Sequence, residues 1–248
     1  MKIKIIVCLI LLLFPFPAYS SLIMHWDFDD GTATDKAGST NGTLAGPTYL
    51  AGGGVNGSGA FSFDGANDYI APTQYNNIGF GNWTISFWIK TTDTAVYNGY
   101  AGTPQVSVIG NITGAIGFAV GVDGGKAAFY HYYSGWREVK GTSNVADGEG
   151  HYISYVHHST GTLDIYVDGQ AEIVGANAFD AQYIYILRDI GRSYDPKYAN
   201  MVLDDLRVYN EALTSTTIGS TFSPVSIPEP TVFVLFSISV LMIFCRRK

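Results

Sequence analysis

Along the middle of the chain, apolar and polar residues alternate with a period of two. In His151–Gln170, Ile153 and Tyr155 share one face and Tyr152 and Ser154 the other. Beyond Ser159-Thr160-Gly161 the alternation resumes, with Leu163, Ile165 and Val167 on one face and Asp164 and Tyr166 on the other. A two-residue period marks a half-buried strand. The Ser-Thr-Gly break supplies turn chemistry, so the segment predicts a β-hairpin. Asp168-Gly169 predicts a second tight turn directly after it. No stretch between the chain ends shows a helical period of comparable strength, and the pattern predicts an all-β, antiparallel protein.

Other segments repeat the pattern more briefly. LIMHWDF predicts a first strand with Leu22, Met24, Trp26 and Phe28 on one face. It runs into DDGTATDKAGSTNGTLAGP, which reads as a loop carrying Asp29, Asp30 and Asp35. AFSFD, DYIAP and WTISFWIK follow as strands, then 106–110, 115–121, 126–133 and 136–140 as weaker ones. Segment 184–190 and MVLDDLRVYN complete the set, and EALTSTTIGS predicts one short helical turn. Short strands separated by regular turn signals imply a two-sheet sandwich or jelly roll.

The two ends change the picture. Residues 1–20 place Lys2 and Lys4 before an apolar run and finish on Ala18-Tyr19-Ser20, the layout of a secretory signal peptide. Residues 223–248 open on a proline-punctuated linker and carry an apolar run, 231–245, that ends on Arg246-Arg247-Lys248. That run is near the short limit for a bilayer span, and its basic end would stay in the cytoplasm. The folding unit is therefore 21–222. Residues 21–227 hold nine of the 14 Lys and Arg and twenty of the 21 acids, a balance of −11. An acidic unit without a basic run excludes nucleic acid and electrostatic docking on anionic lipid. Cys8 and Cys245 both lie in the terminal segments, so the unit has no disulfide, thiolate nucleophile or zinc–cysteine cluster.

Two resemblances rest on specific residues. Pro228-Glu229-Pro230, the apolar run and the terminal basic cluster resemble the PEP-CTERM sorting signal. This implies an exported Gram-negative envelope protein, held transiently in the inner membrane through 231–245 and processed by an exosortase, in an exopolysaccharide-producing, biofilm-forming setting. HWDFDDGTATDKAG, FSFDGANDYI, NWTISFWIK, GHYISYVHHSTGTLDIYVDGQ, IGR and LDDLRVYNEALT, in that order, resemble the LamG-like jelly-roll family of concanavalin A-like lectin/glucanase domains. The family usually has Trp-His where this chain has Gly150-His151.

Candidate chemistry follows from both readings. In MVLDDLRVY, Asp204 alternates with Val202, Leu206 and Val208. If that face is the core, a carboxylate points inward, which costs several kcal/mol unless it is paired or metal-bound. Asp29, Asp35 and Asp204 are then a candidate structural Ca2+ site completed by backbone carbonyls. The resemblance adds that first and last strands lie close together. The alternative is that the aspartates cap turns and Asp204 pairs with an arginine. The glucanases of this fold carry a Glu-x-Asp-x-x-Glu strand motif that this chain lacks, and its five glutamates are scattered. There is no Gly-x-Ser-x-Gly elbow, and His157-His158 reads as a solvated turn. Aromatic residues at strand ends and loops, Tyr132, Tyr133, Trp136 and Tyr194 among them, are candidates for stacking on sugar rings. The expectation is a non-catalytic carbohydrate-binding or adhesion protein of the cell envelope or extracellular matrix. A structural matrix protein without a small ligand and a polysaccharide hydrolase stand as alternatives.

Overall fold

The computed structural model describes residues 22–74, 76–79, 81–96, 104–113, 116–132, 136–177, 185–193 and 197–222. The expected signal peptide, the Pro228-Glu229-Pro230 motif and the apolar run lie outside them. Sixteen strands follow in chain order. They are β1 (Leu22–Trp26), β2 (Gly42–Ala45), β3 (Thr48–Leu50), β4 (Ala60–Asp64), β5 (Tyr69–Pro72), β6 (Asn76–Gly79), β7 (Trp83–Lys90) and β8 (Val106–Thr113). Then come β9 (Ile116–Asp123), β10 (Lys126–Tyr132), β11 (Trp136–Lys140), β12 (Gly150–His158), β13 (Thr162–Val167), β14 (Gln170–Asn177), β15 (Tyr185–Leu187) and β16 (Asn200–Tyr209). One helix, α1 (Ser215–Thr221), closes the described chain.

The larger sheet runs β14-β13-β12-β7-β16-β4-β3, all antiparallel. β16 pairs with β7 along one edge. Its other edge is shared by β4, over Asn200–Leu203, and β1, over Leu206–Tyr209. First and last strands therefore meet, as expected. The second layer runs β11-β10-β9-β8. Backbone bonds extend it: Arg188 and Gly191 donate to Gly110 and Val108 of β8, and Ile190 exchanges two 2.9 Å bonds with Ile70 of β5, which pairs with β2. The inner faces of the two layers enclose Trp26, Phe61, Phe87, Ile153, Ile165, Phe118, Val120 and Phe129, each at most 1% exposed. Tyr155 crosses the interlayer. Its hydroxyl donates to Gly121 O at 2.6 Å and accepts from Ala128 N at 3.1 Å, so the larger sheet is keyed to β9 and β10. At one margin Glu172 of β14 accepts from the amides and hydroxyls of Thr142 and Ser143, which follow β11. Burial opposes ionisation of Glu172, but those bonds outweigh it and hold its carboxyl at about 2.

The face assigned to Asp204 requires correction. In the register, Asp204 stands opposite Trp88 and Arg207 opposite Ser86, so two residues of β16 face one of β7. This is a β-bulge, with Asp205 at φ 49. The bulge shifts the alternation by one residue. Met201 and Leu203 point into the core before it, and Leu206 and Val208 after it. Asp204 lies on the opposite face, yet it is only 1% exposed.

That outer face is covered by a second small core in which Leu213, Ile218 and Phe222 of the α1 region pack on Tyr152, Val156 and Tyr166. The Thr214 hydroxyl caps α1 by accepting from Thr217 N. The helix is thus held by tertiary packing, because a seven-residue helix has little stability of its own. Ile218→Ala is expected to lower the unfolding free energy by about 2–4 kcal/mol. A urea titration giving a loss under about 1 kcal/mol would show that α1 does not contribute to the folded core.

Candidate functional site

Antiparallel register decides which polar and aromatic positions stand together, because directly opposed residues share a face. On β10 and β11, position 132 opposes 136, 130 opposes 138, and 128 opposes 140. The structure therefore places two expected sugar-contact residues, Tyr132 and Trp136, as cross-strand partners. Tyr133 and Tyr194 lie outside the described residues. The next two rungs carry polar groups that sequence reading had left scattered. Lys140 reaches Asp123 at the end of β9, Nζ to Oδ2 2.6 Å, and also contacts Glu138. Tyr130 donates to Asp123 Oδ2 at 3.0 Å, and Gln105 N donates to Oδ1. The Lys140 ammonium lies 5.6 Å from the Tyr130 ring centre.

The electrostatics of this ladder follow from its burial. Asp123 is fully buried, whereas the side chains of Lys140 and Glu138 are 26% and 44% exposed. Burial alone would lower the Lys140 ammonium. Contact with Asp123, Glu138 and Tyr130 overcomes that and raises it above the ordinary lysine range. Burial pushes the Tyr130 phenol upward. The result is a graded strip of opposed positions on β10 and β11, at the end of the described β8–β11 sheet, that runs from an aromatic rung to a charged one. Its charged rungs carry an exposed carboxylate acceptor, Glu138, and a partly exposed ammonium donor, Lys140.

The three aspartates proposed for calcium are not gathered into one site. Asp35 accepts from the backbone amides of His25, Ala37, Gly38 and Thr40. Asp204 accepts from Val55 N at 2.9 Å, Ser58 Oγ at 2.6 Å and Asp205 N at 2.6 Å. Asp29 accepts from Gly59 N, so the 54–59 loop adjoins Asp29 and Asp204 while Asp35 is held elsewhere. Asp35 and Asp204 are thus engaged by backbone and hydroxyl donors, and among the described residues no three His, Cys, Asp or Glu side chains form a metal-binding group. The arginine pairing goes instead to Asp205, whose Oδ1 meets His25 Nε2 and Arg207 Nε at 2.7 Å each, while Oδ2 accepts from Tyr152. The neighbouring carboxyls consequently diverge. Burial raises Asp204 to about 6 against its hydrogen bonds. Asp205 is buried too, but His25, Arg207 and Tyr152 together hold it below the usual range. Only the Asp204-Asp205 pair itself was visible as a sequence signal for this network, since His25 and Tyr152 come from distant strands.

A shallow concavity of about 510 Å³ lies at the β12–β13 turn, with His158, Asp164 and Val174 in its lining. Its polar groups largely satisfy each other: His158 Nε2 meets Asp164 Oδ2 at 2.9 Å, and Asp164 Oδ1 accepts from Gly175 N. The expected solvated turn starts one residue later than His158. His157 is 1% exposed and stacks on Trp83 with ring centres 5.0 Å apart, because β12 continues through it opposite Trp83.

Comparison with known proteins places this architecture. It is a two-layer antiparallel jelly roll, and a sequence profile described as the concanavalin A-like lectin/glucanases superfamily matches residues 64–219. The chain belongs to that superfamily. A search of curated proteins finds no match. Among solved structures, domain 4 of AbnA, a GH43 extracellular arabinanase from Geobacillus stearothermophilus in complex with arabinotriose, aligns with TM-score 0.62 at 17% identity, over 81% of this chain and 98% of that one. Botulinum neurotoxin type C, which depends on interaction with two ganglioside molecules to enter cells, aligns with TM-score 0.59 at 14% identity over 80% of this chain. The binding domain of botulinum neurotoxin DC in complex with SialylT gives 0.60 and 14% over 81%. The chain spans about half the length of either toxin structure, 50% in each case.

Two buried histidines give a pH test of the interlayer. Burial lowers His131 to about 4, with His157 and Arg137 adding to the effect. Burial likewise lowers His157 to about 4, though its bond to the Gly81 carbonyl opposes the shift. Both folded values lie below the unfolded 6.5, so their contribution is complete above pH 6.5 and is lost as pH falls from there towards 4. Asp204, raised to about 6, acts in the opposite sense between 3.8 and 6. The net stability slope therefore mixes signs, and individual titrations resolve it. In a proton NMR titration, the Cε1 signals of His131 and His157 should stay in the neutral position down to about pH 5. The His151 midpoint should exceed 6.5, because Asp168 and Asp147 bind its ring. A midpoint near 6.5 for either buried ring would contradict the packing described.

Proposed function

We propose that the protein is a non-catalytic glycan-binding domain of the cell envelope or extracellular matrix, and that it binds through the β10–β11 ladder. The observation that carries this reading is the register that sets Tyr132 opposite Trp136, with Glu138 and Lys140 at the next two rungs of the same face. Aromatic rings stack on the C–H faces of sugars, and adjacent charged groups hydrogen-bond the hydroxyls. Several structural neighbours are described with sugars or glycoconjugates, namely arabinotriose, gangliosides and SialylT, which supports the class of ligand. The −11 balance of residues 21–227 disfavours polyanionic polysaccharides and favours neutral ones.

The same ladder supports a binding role over hydrolysis. Glycoside cleavage requires two carboxyl groups flanking the scissile bond, one of them kept protonated. Here Asp123 is fully buried, and both it and Glu138 engage the Lys140 ammonium. The finer placement rests on the chain ends. Residues 1–20 direct export, and Pro228-Glu229-Pro230 with 231–245 and the basic terminus present the chain to an exosortase at the inner membrane of a Gram-negative cell.

A glycan array followed by calorimetry tests the reading. Tyr132→Ala and Trp136→Ala should each weaken binding by roughly tenfold or more, about 1.4 kcal/mol, without release of reducing sugar. Glycan binding unchanged by both substitutions would overturn the assigned site. Absence of binding across neutral glycans would overturn the lectin reading in favour of a ligand-free matrix protein.

A further inference from the structure

The sequence contains three Asn-Gly pairs, Asn41-Gly42, Asn56-Gly57 and Asn98-Gly99, the last outside the described residues. The structure puts the first two in opposite settings. An Asn-Gly pair is prone to cyclise because the glycine amide nitrogen reaches the asparagine Cγ without obstruction by a following side chain. Asn41-Gly42 is locked against this. Asn41 Oδ1 accepts from Asp35 N at 2.9 Å, its carbonyl accepts from Thr73 N, and Gly42 N donates to Ala33 O at 2.7 Å. A side-chain carbon on Gly42 would lie 2.4 Å from Ile70 Cγ2 and 2.9 Å from Ala33 Cβ, so the backbone there has no room to turn.

Asn56-Gly57 lies free at the tip of the 54–58 turn. Asn56 is exposed at φ 54, ψ 25, and no described residue hydrogen-bonds its side-chain amide. Gly57 N makes one long bond, 3.3 Å to Gly54 O, and nothing lies within 4 Å of where a side chain on Gly57 would stand. Rotation into the attacking geometry thus breaks one weak contact at Asn56 and several strong ones at Asn41. Local opening free energy separates the two sites.

We propose that Asn56 is a site of spontaneous deamidation in the folded protein and that Asn41 is protected. Gly57 N attacks Asn56 Cγ, the bond from Cγ to the side-chain nitrogen breaks, and ammonia leaves with the glycine proton. Water then opens the succinimide at either carbonyl to give aspartate or isoaspartate. The modification acts on a structural contact, since Val55 N and Ser58 Oγ on either side of Asn56 both hold buried Asp204. An isoaspartate adds a methylene to the backbone between those two donors and releases that grip.

The test is peptide mapping by mass spectrometry of the intact protein held at mildly alkaline pH. Asn56 should gain roughly one dalton at least about tenfold faster than Asn41, and the ratio should collapse in denaturing urea. Asn56→Gln should abolish the fast event and leave the Asn41 rate unchanged. Equal native rates at the two sites, or an Asn56 that stays intact while Asn41 converts, would overturn the proposal.

Discussion

One bulged strand sets the terms for the larger sheet. β16 contacts β7, β4 and β1, and any error in its register would displace all three. The extra residue at Asp205 lets Leu203 and Leu206 both face the core while two consecutive carboxyls leave it. Asp205 then binds His25 from β1, Tyr152 from β12 and Arg207 from its own strand, and Asp204 binds the 54–58 loop. A buried carboxylate is tolerable only when such partners exist. Here they come from strands far apart in sequence, so satisfying the charge also specifies the strand order.

The second layer is organised differently. Its inner face is largely apolar, with His131 buried among its residues, while the opposite face of β9–β11 carries the Asp123–Lys140–Glu138 cluster beside Tyr130. Tyr155 connects the two systems, because its hydroxyl engages β9 and β10 between Gly121 and Ala128. The ladder proposed for glycan contact therefore sits on strands held rigidly from below. Its outer rungs lie on β11, which pairs only with β10 among the described strands. Binding residues on a braced strand pair lose less freedom on contact than residues on a loop.

Much of this was legible in the residues. Alternation placed β4, β7, β12, β13 and β16, and turn residues placed the breaks at Ser159–Gly161 and Asp168-Gly169. What escaped has physical reasons. β2, β3 and β6 are only three or four residues long, too short to display a period. β14 is an edge strand with no fully buried residue, so no alternation was selected along QAEIVGAN. The bulge left intact alternation on both sides of Asp205, and a count by twos across it assigned Asp204 to the wrong face. His157 was read with its turn because periodicity cannot say where a strand stops. The Tyr132–Trp136 pairing needed register, which exists only once the strands are aligned.

The claim that the bulge network specifies the sheet is tested most directly by urea denaturation of Asp205→Asn. This change keeps the size and the left-handed backbone preference of the residue but removes its charge. The expected loss is about 2–4 kcal/mol of unfolding free energy, with Arg207 left without its counter-charge. A loss below about 0.5 kcal/mol, the level of an ordinary surface substitution, would contradict the account.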